Sequence, residues 1–283
     1  MVWSLQTPDA LTEQEFGQWR TLLEQRTGIS LTEQKQPFLQ TQITMRMREL
    51  GFNSYAEYFR KVNDGLWGKA EWSVLVDRLM IKETSFFRHS HSMECVQRFL
   101  QNRINNQQIS GSFDVWSVGC STGEEPYSLA MILNDCYELA RLNPYYGIFA
   151  TDISLPALST ARAGVYSSRK IQGLNEHHQR RYFEELGNGR FKILDKLQER
   201  LCFSQANLIE LNTMPIEKMD VIYCQNVLIY FHRWRREEIL QKFIEHLKPG
   251  GLLVIGLGEM SEWKPQHLQR VADERVQAYV RCD

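Results

Sequence analysis

No run of this chain is long and apolar enough to cross a bilayer, no Cys-x-x-Cys pair occurs, and no block of like charge stands out. Each absence removes a class of function. The opening stretch MVWSLQTPDALTEQEF lacks both a basic start and an apolar core, so the protein is expected to be cytoplasmic and not membrane-inserted. Cys95, Cys120, Cys136, Cys202, Cys224 and Cys282 are scattered, mostly beside apolar residues, as small core fillers in a reducing compartment are. Charge is nearly balanced, with 33 Lys and Arg against 34 Asp and Glu, which leaves no global field for nucleic acid. The histidines show no metal-ligand spacing beyond His89/His91 and His177/His178, pairs that read as solvated or capping residues, so no metal site is expected. No nucleophilic triad and no internal repeat is evident. What is present is an ordinary globular composition, 43% apolar and 24% charged over 283 residues, enough for one large domain and a small one, expected to act as a monomer.

Residues 1–80 carry helical patterns only. Thr12 and Glu15 form a capping box ahead of Phe16, Trp19, Leu22 and Leu23, with Gly28 as the stop. Further helices are expected over 34–50, ended by Gly51, over 54–62, and over 70–79. After a connecting segment, 81–110, strands and helices alternate from 111 to 283. Apolar runs at 113–118, 146–151, 221–224 and 252–255 read as buried strands, separated by helices with inward faces such as Leu129, Ile132, Leu133 and Cys136 or Ile239, Leu240, Phe243 and Ile244. That alternation argues a parallel sheet covered on both faces. Residues 190–193 and 201–204 read as short strands around polar turns, able to form a hairpin outside the main sheet.

Residues 119–128, GCSTGEEPYS, follow the first strand directly. A tight glycine loop between a buried strand and a helix is where α/β proteins hold nucleotide-like ligands. A helix N-terminus favours phosphate, but Glu124 and Glu125 would repel one, so the ligand is expected to be adenosine-bearing and partly cationic, as S-adenosylmethionine is. The two acids also suit the first turn of a helix for its dipole alone. Asp152 ends the second strand, where an acid accepts hydrogen bonds from ribose hydroxyls, or caps the helix beginning near Leu155; the roles are compatible. It lies 33 residues after Gly119 and the loop is not GxGxxG, which weakens a dehydrogenase reading.

The segment VWSVGCSTGEEPYSLA, with ETSFFR at 83–88, ATDIS at 150–154, ANL at 206–208 and NVLIYF at 226–231, resembles the CheR-type chemoreceptor glutamate methyltransferases in motif order and approximate spacing over nearly the whole chain. The resemblance implies an α/β, Rossmann-like class I methyltransferase domain behind an N-terminal all-helical domain, with a small antiparallel β-subdomain. It places that small β-subdomain at about 181–204, and it implies S-adenosylmethionine as cofactor, with Thr84, Arg88, Gly119, Glu125, Asp152, Asn207, Leu208 and Asn226 around it and Gln225 beside them. Arg88 and Tyr230 match the residues nearest the transferred methyl group, and the implied substrate is a set of glutamates on the cytoplasmic helical bundle of a chemoreceptor. Two positions depart from the family pattern: Lys82 stands where Asn is usual and Gln225 where Arg is usual. An acidic bundle would dock on a basic helix face, for which Lys35, Arg46 and Arg48 are the candidates. The turn LGNGR in the β-subdomain is short, which argues against tethering of a receptor tail. A silent cofactor-binding regulator is the competing reading, motivated by Lys82 and Gln225; a small-molecule O-methyltransferase would have no use for the helical domain.

Overall fold

The computed structural model describes residues 10–80, 83–109, 111–213 and 216–283. Its first helix, α1 (Glu13–Thr27), starts where the sequence provides reciprocal caps: the Thr12 hydroxyl accepts from the Glu15 amide at 3.2 Å and the Glu15 carboxylate accepts from the Thr12 amide at 3.0 Å. Helices α2 (Gln36–Leu50), α3 (Tyr55–Val62) and α4 (Gly65–Leu79) follow. Trp19, Leu23, Leu39, Ile43, Met47, Tyr58 and Leu75 form the buried centre between them, each large apolar side chain contributing about 1.5–3 kcal/mol. Helix α4 begins five residues before the expected Ala70. Gly68, which reads as a breaker, sits inside it because a Cβ there would lie 2.6 Å from the Val62 carbonyl oxygen. The chain divides into two units, and this one takes the described residues up to Met80 together with Tyr230–His232. Ile29 pairs with Phe231 in an isolated antiparallel bridge, and the Ser30 amide donates to the Tyr230 carbonyl at 2.8 Å.

The second unit comprises the remaining described residues. It opens with α5 (Ser90–Asn105), a 16-residue helix inside the segment expected only to connect. Then come β1 (Phe113–Val118), α6 (Glu124–Leu139), β2 (Tyr146–Asp152), α7 (Leu155–Ala163), β3 (Val165–Ser167), α8 (Ser168–Ile171), α9 (Glu176–Tyr182), β4 (Phe183–Gly187), β5 (Arg190–Ile193), α10 (Asp195–Gln198), β6 (Leu201–Gln205), β7 (Met219–Cys224), α11 (Arg233–His246), β8 (Leu247–Ile255), β9 (Leu268–Arg270) and β10 (Gln277–Arg281). The main sheet has the order β6-β2-β1-β7-β8-β10-β9. Neighbours from β6 to β8 are parallel, and β10 and β9 close the edge antiparallel. Val115, Trp116, Val118, Val221, Ile222 and Tyr223 are all fully buried, as strands covered on both faces must be. This is an α/β, Rossmann-like sheet. The chain steps outward from β1 to β2 and β6, then returns to lay β7 on the other side of β1, so the strand order reverses between β1 and β7.

A second sheet, β3-β5-β4, is antiparallel and small. Its hairpin joins β4 to β5 through the LGNGR turn. The 201–204 strand, expected as a partner in that hairpin, instead runs parallel to β2, with Phe203 opposite Ala150. A short strand carries no signature of its partner, and the open edge of β2 took it. Among the described residues no helix is long and apolar enough to cross a membrane.

Candidate functional site

Ligands in open α/β sheets sit outside the carboxyl ends of the strands where their order reverses. Here that place lies between Val118 of β1 and Cys224 of β7. The loop leaving β1 is drawn toward β2 at once, since the Gly119 and Cys120 amides both donate to the Thr151 carbonyl, at 2.7 and 2.9 Å. Gly119 has φ 71°, and a Cβ on it would lie 2.3 Å from Cγ2 of Val227, so only glycine lets the loops after β1 and β7 approach this closely. Gly123, at φ 95°, is bounded equally by Ala161 and the Tyr166 hydroxyl.

Asp152 stands at the end of β2 with each carboxylate oxygen held by a backbone amide, Ser121 on one and Ser154 on the other, both at 2.8 Å. The cap of α7 is Ser154, whose hydroxyl accepts from the Ala157 amide at 3.1 Å. Asp152 therefore does not serve as that cap.

The adjacent glutamates have separate duties. Glu124 is fully buried, accepting from the Thr122 hydroxyl at 2.6 Å and the Lys170 ammonium at 2.7 Å. Lys170 also donates to the Thr84 carbonyl at 2.7 Å, so Glu124 and Lys170 together tie the 83–88 segment to the glycine loop. Glu125 is half-buried and accepts from the Ser117 hydroxyl at 2.7 Å. Burial pushes its carboxyl up to about 8, assisted by the charge of Glu259, while Ser117 and Arg88 oppose the rise. Glu259, Asp152 and Arg88 thus all lie within electrostatic reach of Glu125. Glu259 is itself buried, accepting from the Gly256 amide at 2.8 Å and the Ile229 amide at 3.4 Å, which braces the loop after β7.

In that loop Asn226 adopts φ 59° and its side-chain oxygen bonds Nε2 of His89, just before α5. Gln225, expected beside the cofactor, is buried and turned inward, its amide donating to Ser92 of α5 at 3.5 Å. Lacking a fixed charge, it can be buried on one hydroxyl partner. Asn207 and Leu208 follow β6, and Leu208 borders a groove of about 580 Å³ with Leu211, Trp234 and Ile239. Arg88 is exposed, its guanidinium donating to the Glu83 carbonyl. Lys82 lies outside the described residues.

Tyr230 belongs to the helical unit. The Lys35 ammonium lies over its ring, 5.3 Å from the centroid, and both border an apolar cavity of about 210 Å³ with Phe38 and Met80. Arg46, expected to present a docking charge, is instead locked inside this unit. Its guanidinium meets the buried Glu71 through two bonds, at 2.8 and 2.7 Å, and Glu71 also accepts from Tyr58 at 2.6 Å. Arg48 is exposed. Residues two apart on a helix point to different sides.

Sequence reasoning missed Lys170, His89, Ser117 and Glu259. Of these, His89 directly follows Arg88 and Ser117 lies within the VWSVGC stretch, whereas Lys170 and Glu259 carry no signal in the sequence. The whole arrangement is acidic and glycine-lined, with oriented acceptors and one arginine. It suits a ligand rich in hydroxyls and bearing positive charge.

Comparison with known proteins agrees with this chemistry. Residues 82–277 match the CheR methyltransferase SAM binding domain, and residues 14–80 match the CheR methyltransferase all-alpha domain. A chemotaxis protein methyltransferase of Salmonella typhimurium is 33% identical over 254 residues, covering 88% of this chain and 85% of that protein. Chemotaxis protein methyltransferase Cher2 of Pseudomonas putida is 31% identical over 260 residues, covering 91% and 94%. One from Borreliella burgdorferi is 29% identical over 252 residues, covering 88% and 89%. With matches of this extent in both its units, the chain belongs to the CheR methyltransferase family.

Proposed function

We propose that this methyltransferase esterifies glutamate side chains on the cytoplasmic helical bundle of a chemoreceptor, with S-adenosylmethionine as donor. The observation that carries the reading is the pre-set acidic cradle at the β1/β7 reversal, formed by residues of the family's cofactor motifs. The donor set fits the cofactor: Asp152 offers oriented acceptors for ribose hydroxyls, Asn207 and Leu208 border the next strand end, and Glu125 and Asn226 supply further polar contacts. When bound, the cofactor supplies an electrophilic methyl, so that a carboxylate O–C bond forms as the C–S bond breaks and S-adenosylhomocysteine leaves.

A free glutamate has a pKa near 4.3, so the nucleophile is already ionised at neutral pH and no general base is required. The protein's work is to align and partly desolvate it. A tight clamp of Arg88 on the attacking oxygen would reduce its nucleophilicity, so Arg88 holds the cofactor carboxylate or the non-attacking oxygen through its planar fork. Tyr230 orients the attacking carboxylate with one hydrogen bond. Arg48, with Lys35, supplies positive charge toward the acidic substrate helix, while Arg46 shapes the unit that presents them. The substrate class places the enzyme in the cytoplasm.

Labelled cofactor incubated with a receptor cytoplasmic fragment tests this. Base-labile methyl label on glutamate is expected. Cofactor binding without any such label would overturn the reading in favour of a binding-only regulator.

A further inference from the structure

Phe87 is a bulky residue in the left-handed backbone region, at φ 52°, a conformation that persists only where the surroundings enforce it. It directly precedes Arg88. One constraint is its amide, which donates to the Ser128 hydroxyl at 3.0 Å, itself bonded to the Glu124 carbonyl at 2.6 Å. The other is its ring, which lies parallel to the imidazole of His178, with centroids 5.1 Å apart and planes 3° apart. Phe86 is gripped separately, edge-on to Tyr166 and Phe183 at 5.0 and 5.5 Å. Two successive rings are thus held by different partners, and the backbone between them sets where Arg88 departs.

Packing alone does not call for a histidine at 178. Its Nε2 bonds Asp135 on α6 at 2.9 Å, and Asp135 takes a second hydrogen bond from the hydroxyl of the fully buried Tyr182. Asn134 in turn donates to Tyr182 at 3.1 Å. These bonds orient the imidazole against which the Phe87 ring lies. We propose that His178 is a positioning residue for Arg88, acting through the Phe87 stack, with Asp135 setting the imidazole plane. The inference rests on the role given to Arg88 above.

The test uses the full chain with His178→Ala, His178→Phe, Asp135→Asn, Arg88→Ala and the Arg88→Ala/His178→Ala double variant. Affinity for S-adenosylhomocysteine is read by calorimetry, methyl transfer by steady-state kinetics, and folding by thermal midpoint. His178→Ala, which removes both the ring and its bond to Asp135, is expected to lower kcat/KM about tenfold, and His178→Phe, which keeps a flat ring but loses that bond, to recover only part of the loss. Asp135→Asn keeps the stacked ring and weakens the bond, so it should cost no more than His178→Phe, and it reports the same effect if His178→Ala fails to fold. In the Arg88→Ala background His178→Ala should add less than about twofold, because the group being positioned is gone. Effects that multiply in the double variant, or a His178→Phe as weak as His178→Ala, would overturn the inference. A silent His178→Ala beside a crippled Arg88→Ala overturns it alone; a silent Arg88→Ala overturns the role of Arg88 and this inference with it.

Discussion

The strand ends of the larger unit and the α2 helix of the smaller one handle charge in opposite ways. At the strand ends no acid is left to find its own place: Asp152 is held by two amides, Glu124 by Thr122 and Lys170, Glu125 by Ser117, and Glu259 by amides of the loops it braces. On α2 the two arginines divide: Arg46 is held by Glu71 and Glu49, and Arg48 is open to solvent. Fixed groups suit a small ligand met in one pose. An exposed, flexible cation suits a protein surface approached from solution, where steering matters more than alignment. Arg46 is the exception that sharpens the contrast, since it sits among docking candidates in sequence and behaves like the strand-end groups in structure.

The largest expected effect comes from breaking that exception. Glu71→Ala would leave Arg46 with only the exposed Glu49 and the buried Tyr58 hydroxyl without its acceptor, and should destabilise the helical unit by about 1–3 kcal/mol, seen as a lowered denaturant midpoint. An unchanged midpoint would return Arg46 to the docking face. Next in size, Arg88→Ala should lower turnover about a hundredfold through lost alignment, and Tyr230→Phe about tenfold or somewhat more, the worth of one hydrogen bond to a charged carboxylate. Wild-type turnover in Arg88→Ala would refute its assigned role.

The fixed acids also make a pH prediction. Burial raises the Glu125 carboxyl from its ordinary range to about 8. Between those values the folded state binds the extra proton, so stability present below the unfolded pKa is lost as pH rises toward about 8, at no more than about 1.4 kcal/mol per pH unit. Glu125→Gln should flatten that slope in chemical denaturation across the same window. An unaltered slope would assign it to another group, such as Glu259. The smallest effect belongs to the open face: Arg48→Glu should raise KM for the receptor fragment severalfold at low salt, with little change at high salt and none in kcat.

Much of this was legible in the sequence, for reasons that differ by element. Strands β1, β2, β7 and β8 are buried on both faces and therefore read as continuous apolar runs. The capping box of α1 writes both of its partners into the sequence. Strand β6 was visible but its partner was not, because a short strand on an open edge is claimed by tertiary pairing. Arg46 and Arg48 look like one basic patch in one dimension, yet two residues turn a helix by about 200°. Lys170 was illegible because a single lysine on the one-turn α8 resembles any solvated surface charge; its purpose exists only once Glu124 and Thr84 are brought beside it.

The helical unit is not contiguous in the chain, for it includes Tyr230–His232 from the NVLIYF motif. An exchange of this unit between family members, natural or engineered, therefore cannot be made by replacing the amino-terminal residues alone. A chimera that took a new helical unit but kept its own Tyr230–His232 would have to rebuild the bridge from Ile29 to Phe231 across unmatched sequences. The amino-terminal helices and the end of the NVLIYF motif are in this sense inherited together.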